Sequence, residues 1–123
     1  MWIKANVFAN WDEGAFYWNL KAANGEIVAC SPHGFADRME AEKELLYFGV
    51  GRKESAVNKK KAAGDFSGPG YHIFEGEDDQ WYWNYTKVKG VIVAKGGEGY
   101  ATRSSCEAAV MRMKEAVFAE PGF

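Results

Sequence analysis

The sequence is short of most residues that would commit it to a chemistry. Its 123 residues include two cysteines, two histidines and three prolines. Cys30 and Cys106 are too few for the disulfide framework of a small secreted domain, so both are expected as free thiols, at least one of them in the core. No run of about 18 apolar residues occurs, so no membrane-spanning helix is expected. Neither sign of charge dominates: 15 Lys and Arg stand against 17 Asp and Glu, for a net charge of -2. That balance argues against a generally basic protein coating nucleic acid, while leaving room for a local basic patch. Met1-Trp2-Ile3-Lys4-Ala5-Asn6 lacks the charged and apolar regions of a signal peptide, and the expected location is the cytoplasm, with no membrane partner.

Aromatic residues are what the chain has in plenty, at 15% with five Trp. A large ring buries on the order of 150–250 Å², so a core built on rings is within reach of so short a chain.

The main signal is an internal repeat. Tyr17-Trp18-Asn19 returns as Tyr82-Trp83-Asn84, an offset of 83 − 18 = 65. The same offset carries Gly25 to Gly90, Ile27-Val28-Ala29 to Ile92-Val93-Ala94, Gly34 to Gly99, Arg38 to Arg103 and Glu42 to Glu107. Each copy opens with alternating large residues: Phe16, Trp18 and Leu20, then Trp81, Trp83 and Tyr85. Period-two alternation predicts a strand. Asn24-Gly25 then predicts a hairpin with a type I′ turn, which needs positive φ at both central residues. Lys89-Gly90 is its weaker equivalent. A β-branched strand follows, Ile27-Val28 or Val91-Ile92-Val93.

A Gly-containing loop leads from there to a helix. Asp37 and Thr102 are N-cap residues at the same repeat position, and Glu40, three after Asp37, fits a capping box. Ala41, Leu45 and Phe48 recur at helical spacing, as do Cys106, Val110, Met113 and Val117. A further strand is expected before each hairpin, over 3–9 and 71–74. The domains are therefore read as 1–50, first repeat; 51–70, connector; and 71–123, second repeat. The connector carries Arg52-Lys53, Lys59-Lys60-Lys61 and Gly68-Pro69-Gly70, with a short strand near Ala56-Val57. The expected fold is α+β: a tandem repeat of a three-stranded antiparallel hairpin unit plus helix, forming one sheet with the helices on one face.

The run Phe16-Tyr17-Trp18-Asn19-Leu20-Lys21-Ala22-Ala23-Asn24-Gly25-Glu26-Ile27-Val28-Ala29, continued by Ser31, Gly34 and Phe35, resembles the YegP-like family of small prokaryotic proteins. The second copy keeps Trp81, Trp83, Gly90, Ile92, Ala94, Gly99 and Tyr100, and departs at Val88-Lys89 and at Gly96, where the family has Ser. The resemblance implies two units joined in one continuous sheet backed by helices, a fold in which the strand after each helix can be exchanged between units. It implies no activity.

No reaction chemistry emerges from the residues. His33, in a loop, and His72, in an expected strand, have no partners at zinc-ligand spacing. Ser104, Ser105 and Cys106 read as helix-start and core residues rather than a nucleophile with its base. Gly96-Gly97-Glu98-Gly99 precedes a helix but lacks the Gly-Lys-Ser/Thr ending of a phosphate-binding loop. The acidic run at 75–79 lacks the ligand alternation of a calcium loop and reads as a solvated turn. No enzyme, no metal and no cofactor is expected.

Strand alternation points instead to a surface. If Trp18 and Leu20 face the helices, then Tyr17, Asn19 and Lys21 face the other way, with Tyr82, Asn84 and Thr86 in the second copy. These six are the candidate binding residues. The first reading is an interaction module contacting another protein. The alternative is nucleic acid or another anionic ligand, with Tyr rings stacking on bases and Lys21, Lys87, Lys89 and the connector meeting phosphates. The bland alternative is cross-strand pairing on a two-sided sheet. A monomer and a homodimer are both compatible with exposed edge strands.

Overall fold

The computed structural model describes residues 2–59, 69–87 and 90–118. Lys60, Lys61 and Gly68 of the connector, and Val88 and Lys89 of the second turn, lie outside the described residues. The chain is α+β: β1 (Trp2–Asn10), β2 (Ala15–Ala22), β3 (Ile27–Cys30), α1 (Arg38–Gly51), β4 (Val57–Lys59), β5 (Gly70–Glu75), β6 (Trp81–Thr86), β7 (Ile92–Gly96), α2 (Arg103–Glu115) and β8 (Val117–Phe118). The strands form one mixed sheet in the order β4-β5-β6-β7-β3-β2-β1-β8. No helix among the described residues is long and apolar enough to cross a membrane.

The order follows from how each segment finds its hydrogen bonds. The strands β1, β2 and β3 form one antiparallel meander, and β5, β6 and β7 form another. They join edge to edge through β3 and β7, with Cys30 opposite Lys95. Each outer strand would then present unpaired backbone groups, the liability of any open sheet. The chain leaving α1 becomes β4 and pairs in parallel with β5; the chain leaving α2 becomes β8 and pairs in parallel with β1. Each helix thus sends its following strand to the edge of the other meander.

That crossing corrects one sequence expectation. Val117 does not continue the α2 helix face. The helix stops at Glu115, Ala116 turns extended at φ -62 and ψ 150, and Val117 lies opposite Trp2 in β8. The β-branched and aromatic pair Val117-Phe118 suits a strand, and the open edge of β1 offers it backbone partners.

The first turn is a second correction. Gly25 has φ 86, but Asn24 is not in the positive-φ region that type I′ demands. The Gly25 N–H donates to Ala22 O and the Ala22 N–H to Glu26 O, each at 2.9 Å. This is the three-residue loop, a type I turn closed by a left-handed glycine. The Gly90 N–H to Lys87 O bond (3.2 Å), the Lys87 N–H to Val91 O bond (3.0 Å) and Gly90 φ 73 give the second hairpin the same closing bonds and the same left-handed glycine. Only the glycine needs positive φ in this loop, so Asn is not required before it.

Both helices begin where the sequence placed them. Asp37 accepts from the Glu40 N–H, and Thr102 from the Ser105 N–H, which satisfies one otherwise orphaned donor in each first turn. Their apolar faces, Ala41, Leu45 and Phe48 on α1 and Cys106, Ala109, Val110 and Met113 on α2, are buried. The Phe48 ring stacks on Trp18 (6.0 Å, 20°) and on Trp83 (6.2 Å, 25°), and meets Tyr71 and Tyr85 edge-on. Full burial of side chains this large contributes about 1.5–3 kcal/mol each. The rings thus form the centre of the core.

Candidate binding face

Because Trp18 and Leu20 pack toward α1, the alternate residues of β2 project from the helix-free face. Cross-strand pairing then assembles a polar row on that face. Asn6 lies opposite Asn19, Asn19 opposite Cys30, Cys30 opposite Lys95, Lys95 opposite Asn84, and Asn84 opposite His72. The Asn6 Nδ2 donates to Asn19 Oδ1 at 3.1 Å. Asn19 and Asn84 are each 8% exposed, so they sit low in the row rather than at its surface. Burial pushes the Cys30 thiol up, with Lys95 opposing; the group stays a thiol rather than a nucleophilic thiolate.

The two tyrosines occupy matching settings. Tyr17 stacks on Phe8 across the strand pair (5.9 Å, 21°), and Tyr82 on Phe74 (5.9 Å, 25°). The Tyr17 hydroxyl donates to Glu13 and the Tyr82 hydroxyl to Asp78. Those hydrogen bonds to carboxylates are the first cause of the raised pKa of both tyrosines, and the same bond lowers Asp78. The rings also explain a repeated glycine. A Cβ on Gly34 would lie 2.9 Å from Tyr17 Cζ, and one on Gly99 would lie 3.0 Å from Tyr82 Cε1 and Cζ. Only glycine lets the loop before each helix pass this close to the ring.

The six sequence candidates therefore divide. Tyr17 and Tyr82 are half-buried ring partners, Asn19 and Asn84 are nearly enclosed, and Lys21 is exposed. Thr86 points away from the helices but is 1% exposed, with its Oγ1 3.0 Å from His72 Nε2. It is enclosed rather than accessible. The structure adds Lys4, Asn6 and Phe8 of β1, which the sequence reading left out. Their alternation with Ile3, Ala5 and Val7 was the available signal; their pairing with Lys21, Asn19 and Tyr17 came only with the register. A hollow of about 430 Å³ opens beside Lys4, Asn6 and Lys21, and one of about 470 Å³ beside Phe74, Tyr82, Asn84 and Lys95.

The other sequence candidates have structural settings. His33 is exposed, its Nδ1 2.9 Å from Gly34 O and its ring against Phe35. Burial, then the charge of Glu107, pushes the Cys106 thiol up to about 12. Among the described residues, no group of three His, Cys, Asp or Glu stands close enough to hold a metal ion.

A mixed eight-stranded sheet with helices on one side, and a polar row with paired Tyr–carboxylate hydrogen bonds on the other, defines the architectural class. Comparison with known proteins gives the family. The model of a domain of unknown function, DUF1508, matches residues 12–44 and 77–120, and the chain belongs to that family. The two matched segments begin 77 − 12 = 65 residues apart. The fold is similar to the solution structure of the UPF0339 protein SO3888 from Shewanella oneidensis, with a TM-score of 0.69 at 14% identity over 98% of this chain and 96% of that one. It is also similar to yegP, a protein of unknown function from E. coli, with a TM-score of 0.56 at 18% identity over 99% and 95% of the two chains. No curated protein matches the sequence.

Proposed function

We propose that the chain is a non-enzymatic protein-interaction module that holds its partner against the helix-free face of the sheet, over β1 and β2. The observation that carries this reading is the contrast along that face. Over β5 and β6, His72 and Thr86 are each 1% exposed. Over β1 and β2, Lys4 and Lys21 are exposed at the hollow beside Asn6, and Phe8 is exposed further along β1. Two ammonium groups at one end of the row and the Phe8–Tyr17 pair at the other suit a partner surface with an acidic patch beside an apolar one.

Nucleic acid is the second reading, favoured by Lys4 and Lys21 side by side on adjacent strands. Against it stand Glu13 and Asp78, which put carboxylates at the tips of the very rings that would stack on bases, and the packing of those rings on Gly34 and Gly99. The proposal carries with it a cytoplasmic location, in keeping with two unpaired thiols. The reading takes the chain as a monomer, with β8 pairing Trp2 and Ile3 at the β1 edge.

The test is affinity capture from source-cell lysate with two folded baits: wild type, and Lys4→Ala with Phe8→Ala and Lys21→Ala. Bound protein and nucleic acid are both quantified. The expected result is a discrete protein, stable to nuclease, lost with the triple variant. Salt-sensitive nucleic acid lost with the variant would move the reading to the alternative. Equal recovery by both baits would remove this face from consideration.

A further inference from the structure

A second pair of hollows lies at the seams between hairpin turns and helices, one of them sharing Trp2, Ala22 and Ala23 with the hollow beside Asn6. Each sits where the hairpin turn of one unit meets the helix and pre-helix loop of the other. The two are lined by residues related by the 65-residue offset, and they differ in chemistry. Between the β6–β7 hairpin and α1 (about 460 Å³), Lys87 Nζ stands 3.1 Å from Glu44 Oε1 and 5.7 Å from the centre of the Tyr47 ring. The Lys87–Glu44 ion pair thus bridges this seam.

Between the β2–β3 hairpin and α2, the equivalents of that ion pair are Ala22 (87 − 65) and Ala109 (44 + 65). No such bridge forms there, and the cleft, about 380 Å³, is walled by Ala22, Ala109, Val28, Trp2 and the Tyr100 ring. This lies at the lower end of small-molecule site volumes, roughly 300–1,000 Å³. Charged groups of both signs stand at its rim. Arg112, at the position of Tyr47, lines the cleft and makes no ion pair among the described residues. Glu26 also lines it, and its carboxyl is the first cause that raises the Glu98 pKa. Burial, then chiefly the charge of Glu98, raises the Tyr100 phenol to about 12, with Arg112 opposing.

An apolar cleft with the Arg112 guanidinium and the Glu26 carboxylate at its rim calls for a ligand with the reverse pattern. We propose that this cleft binds a small zwitterion with an apolar body, the chemistry of a free aromatic α-amino acid. The ligand ammonium meets Glu26, its carboxylate meets Arg112, and its side chain lies on Trp2, Val28 and Ala109. A carboxylate is stabilised by a cation beside it, and Arg supplies a fork matched to a carboxylate.

The experiment is an amide-resolved NMR titration of the full chain with L-phenylalanine. Parallel titrations use phenethylamine, which lacks the carboxylate, and 3-phenylpropionate, which lacks the ammonium. The expected result is saturable shifts at Ala22, Tyr100 and Ala109 with L-phenylalanine, and binding weaker by about tenfold or more for each truncated compound. Arg112→Gln, an exposed change, lowers L-phenylalanine affinity by a similar factor and leaves phenethylamine unaffected. Ala22→Lys with Ala109→Glu copies the bridged seam and abolishes the shifts. If that double variant does not fold, Arg112→Gln decides alone. No saturable shift with L-phenylalanine, equal binding of either truncated compound, or full affinity in Arg112→Gln would overturn the proposal.

Discussion

Phe48 of α1 and Met113 of α2 hold equivalent positions, 65 residues apart, and the core is built differently around them. Phe48 touches the indoles of both units, stacking on Trp18 and on Trp83, and takes Tyr71 and Tyr85 edge-on. Met113 is as deeply buried, at 1% exposure, but brings a flexible thioether. The second meander has Tyr85 where the first has Leu20 (85 − 65), so ring volume is concentrated on one side of the join. The turns, the helix caps and the Tyr–carboxylate bonds, by contrast, repeat in kind. Local geometry is the same in both units because each hairpin and each helix start must satisfy its own backbone. The shared core has only to be filled once, and either unit can supply the filling.

The largest expected effect tests that division. Phe48→Ala should destabilise by roughly 3–5 kcal/mol, the range for a buried aromatic truncated in place. Met113→Ala should cost less, because a Met leaves a smaller and more adaptable void. Urea denaturation of the two variants checks this. An equal or larger loss for Met113→Ala would mean that the core is symmetric in energy though not in shape.

Next in size is a contact present at one helix end only. Arg52, 3% exposed, donates through Nη1 to Met113 O (2.8 Å) and Lys114 O (3.2 Å), and its guanidinium lies over the Phe118 ring at 5.1 Å. It therefore caps the carbonyl end of α2 and holds the start of β8, with a cation at the negative end of the helix. The equivalent position, 52 + 65 = 117, is Val117. Arg52→Ala should cost about 2–3 kcal/mol. Hydrogen exchange should show faster opening in β8 and the last turn of α2 than around β4. Uniform protection loss would contradict the one-sided strap.

Much of this architecture was legible in the residues, and the reasons are local. Alternation of Phe16, Trp18 and Leu20, the Asp37 and Thr102 caps and the repeated Gly25 and Gly90 each announce a structure formed within a few residues of themselves. The 65-residue offset then carried the reading from one unit to the other. What the sequence left out depends on distant partners. Val117 sits at helical spacing from Met113, yet the edge of β1 takes it into a strand. Thr86 alternates outward, yet it lies enclosed beside His72. Lys4, Asn6 and Phe8 became part of the candidate face only once β1 was in register with β2. The cleft beside Tyr100 joins a turn to a helix more than 80 residues away in sequence (109 − 22 = 87), which no local pattern announces.

A smaller effect is expected from exchanging equivalents. Ser31 and Gly96 share a repeat position (96 − 65 = 31). The Ser31 Oγ accepts from the Trp18 N–H at 3.2 Å, so serine is useful there. At Gly96 a Cβ would lie 2.5 Å from Trp83 Nε1 and 2.9 Å from its Cδ1. Trp83 is 1% exposed and cannot easily yield. Gly96→Ser, although it copies the other unit, should therefore destabilise, in the lower part of the roughly 1–3 kcal/mol typical of overpacking. A neutral result in thermal unfolding would show that Trp83 has an alternative seat, and that the two units are closer to interchangeable than their cores imply.

The smallest effects should be those on which the units agree. Tyr17 with Glu13, and Tyr82 with Asp78, are exposed pairs, so they bear on titration more than on stability. A carboxylate acceptor favours the neutral phenol, which raises both tyrosines above their ordinary value of 10.0. The sign follows from linkage. The contribution of each phenol is complete below that ordinary value and is lost as pH rises through the raised one. Asp78, held below its ordinary 3.8, contributes above that value, and its share is lost as pH falls through the lowered one. Ultraviolet titration of the phenols in Glu13→Gln and Asp78→Asn should move one tyrosine in each variant back toward its ordinary range, by similar amounts. A shift in only one of the two would mean that the matching geometry hides different surroundings, and that the units have diverged on the helix-free face as well as in the core.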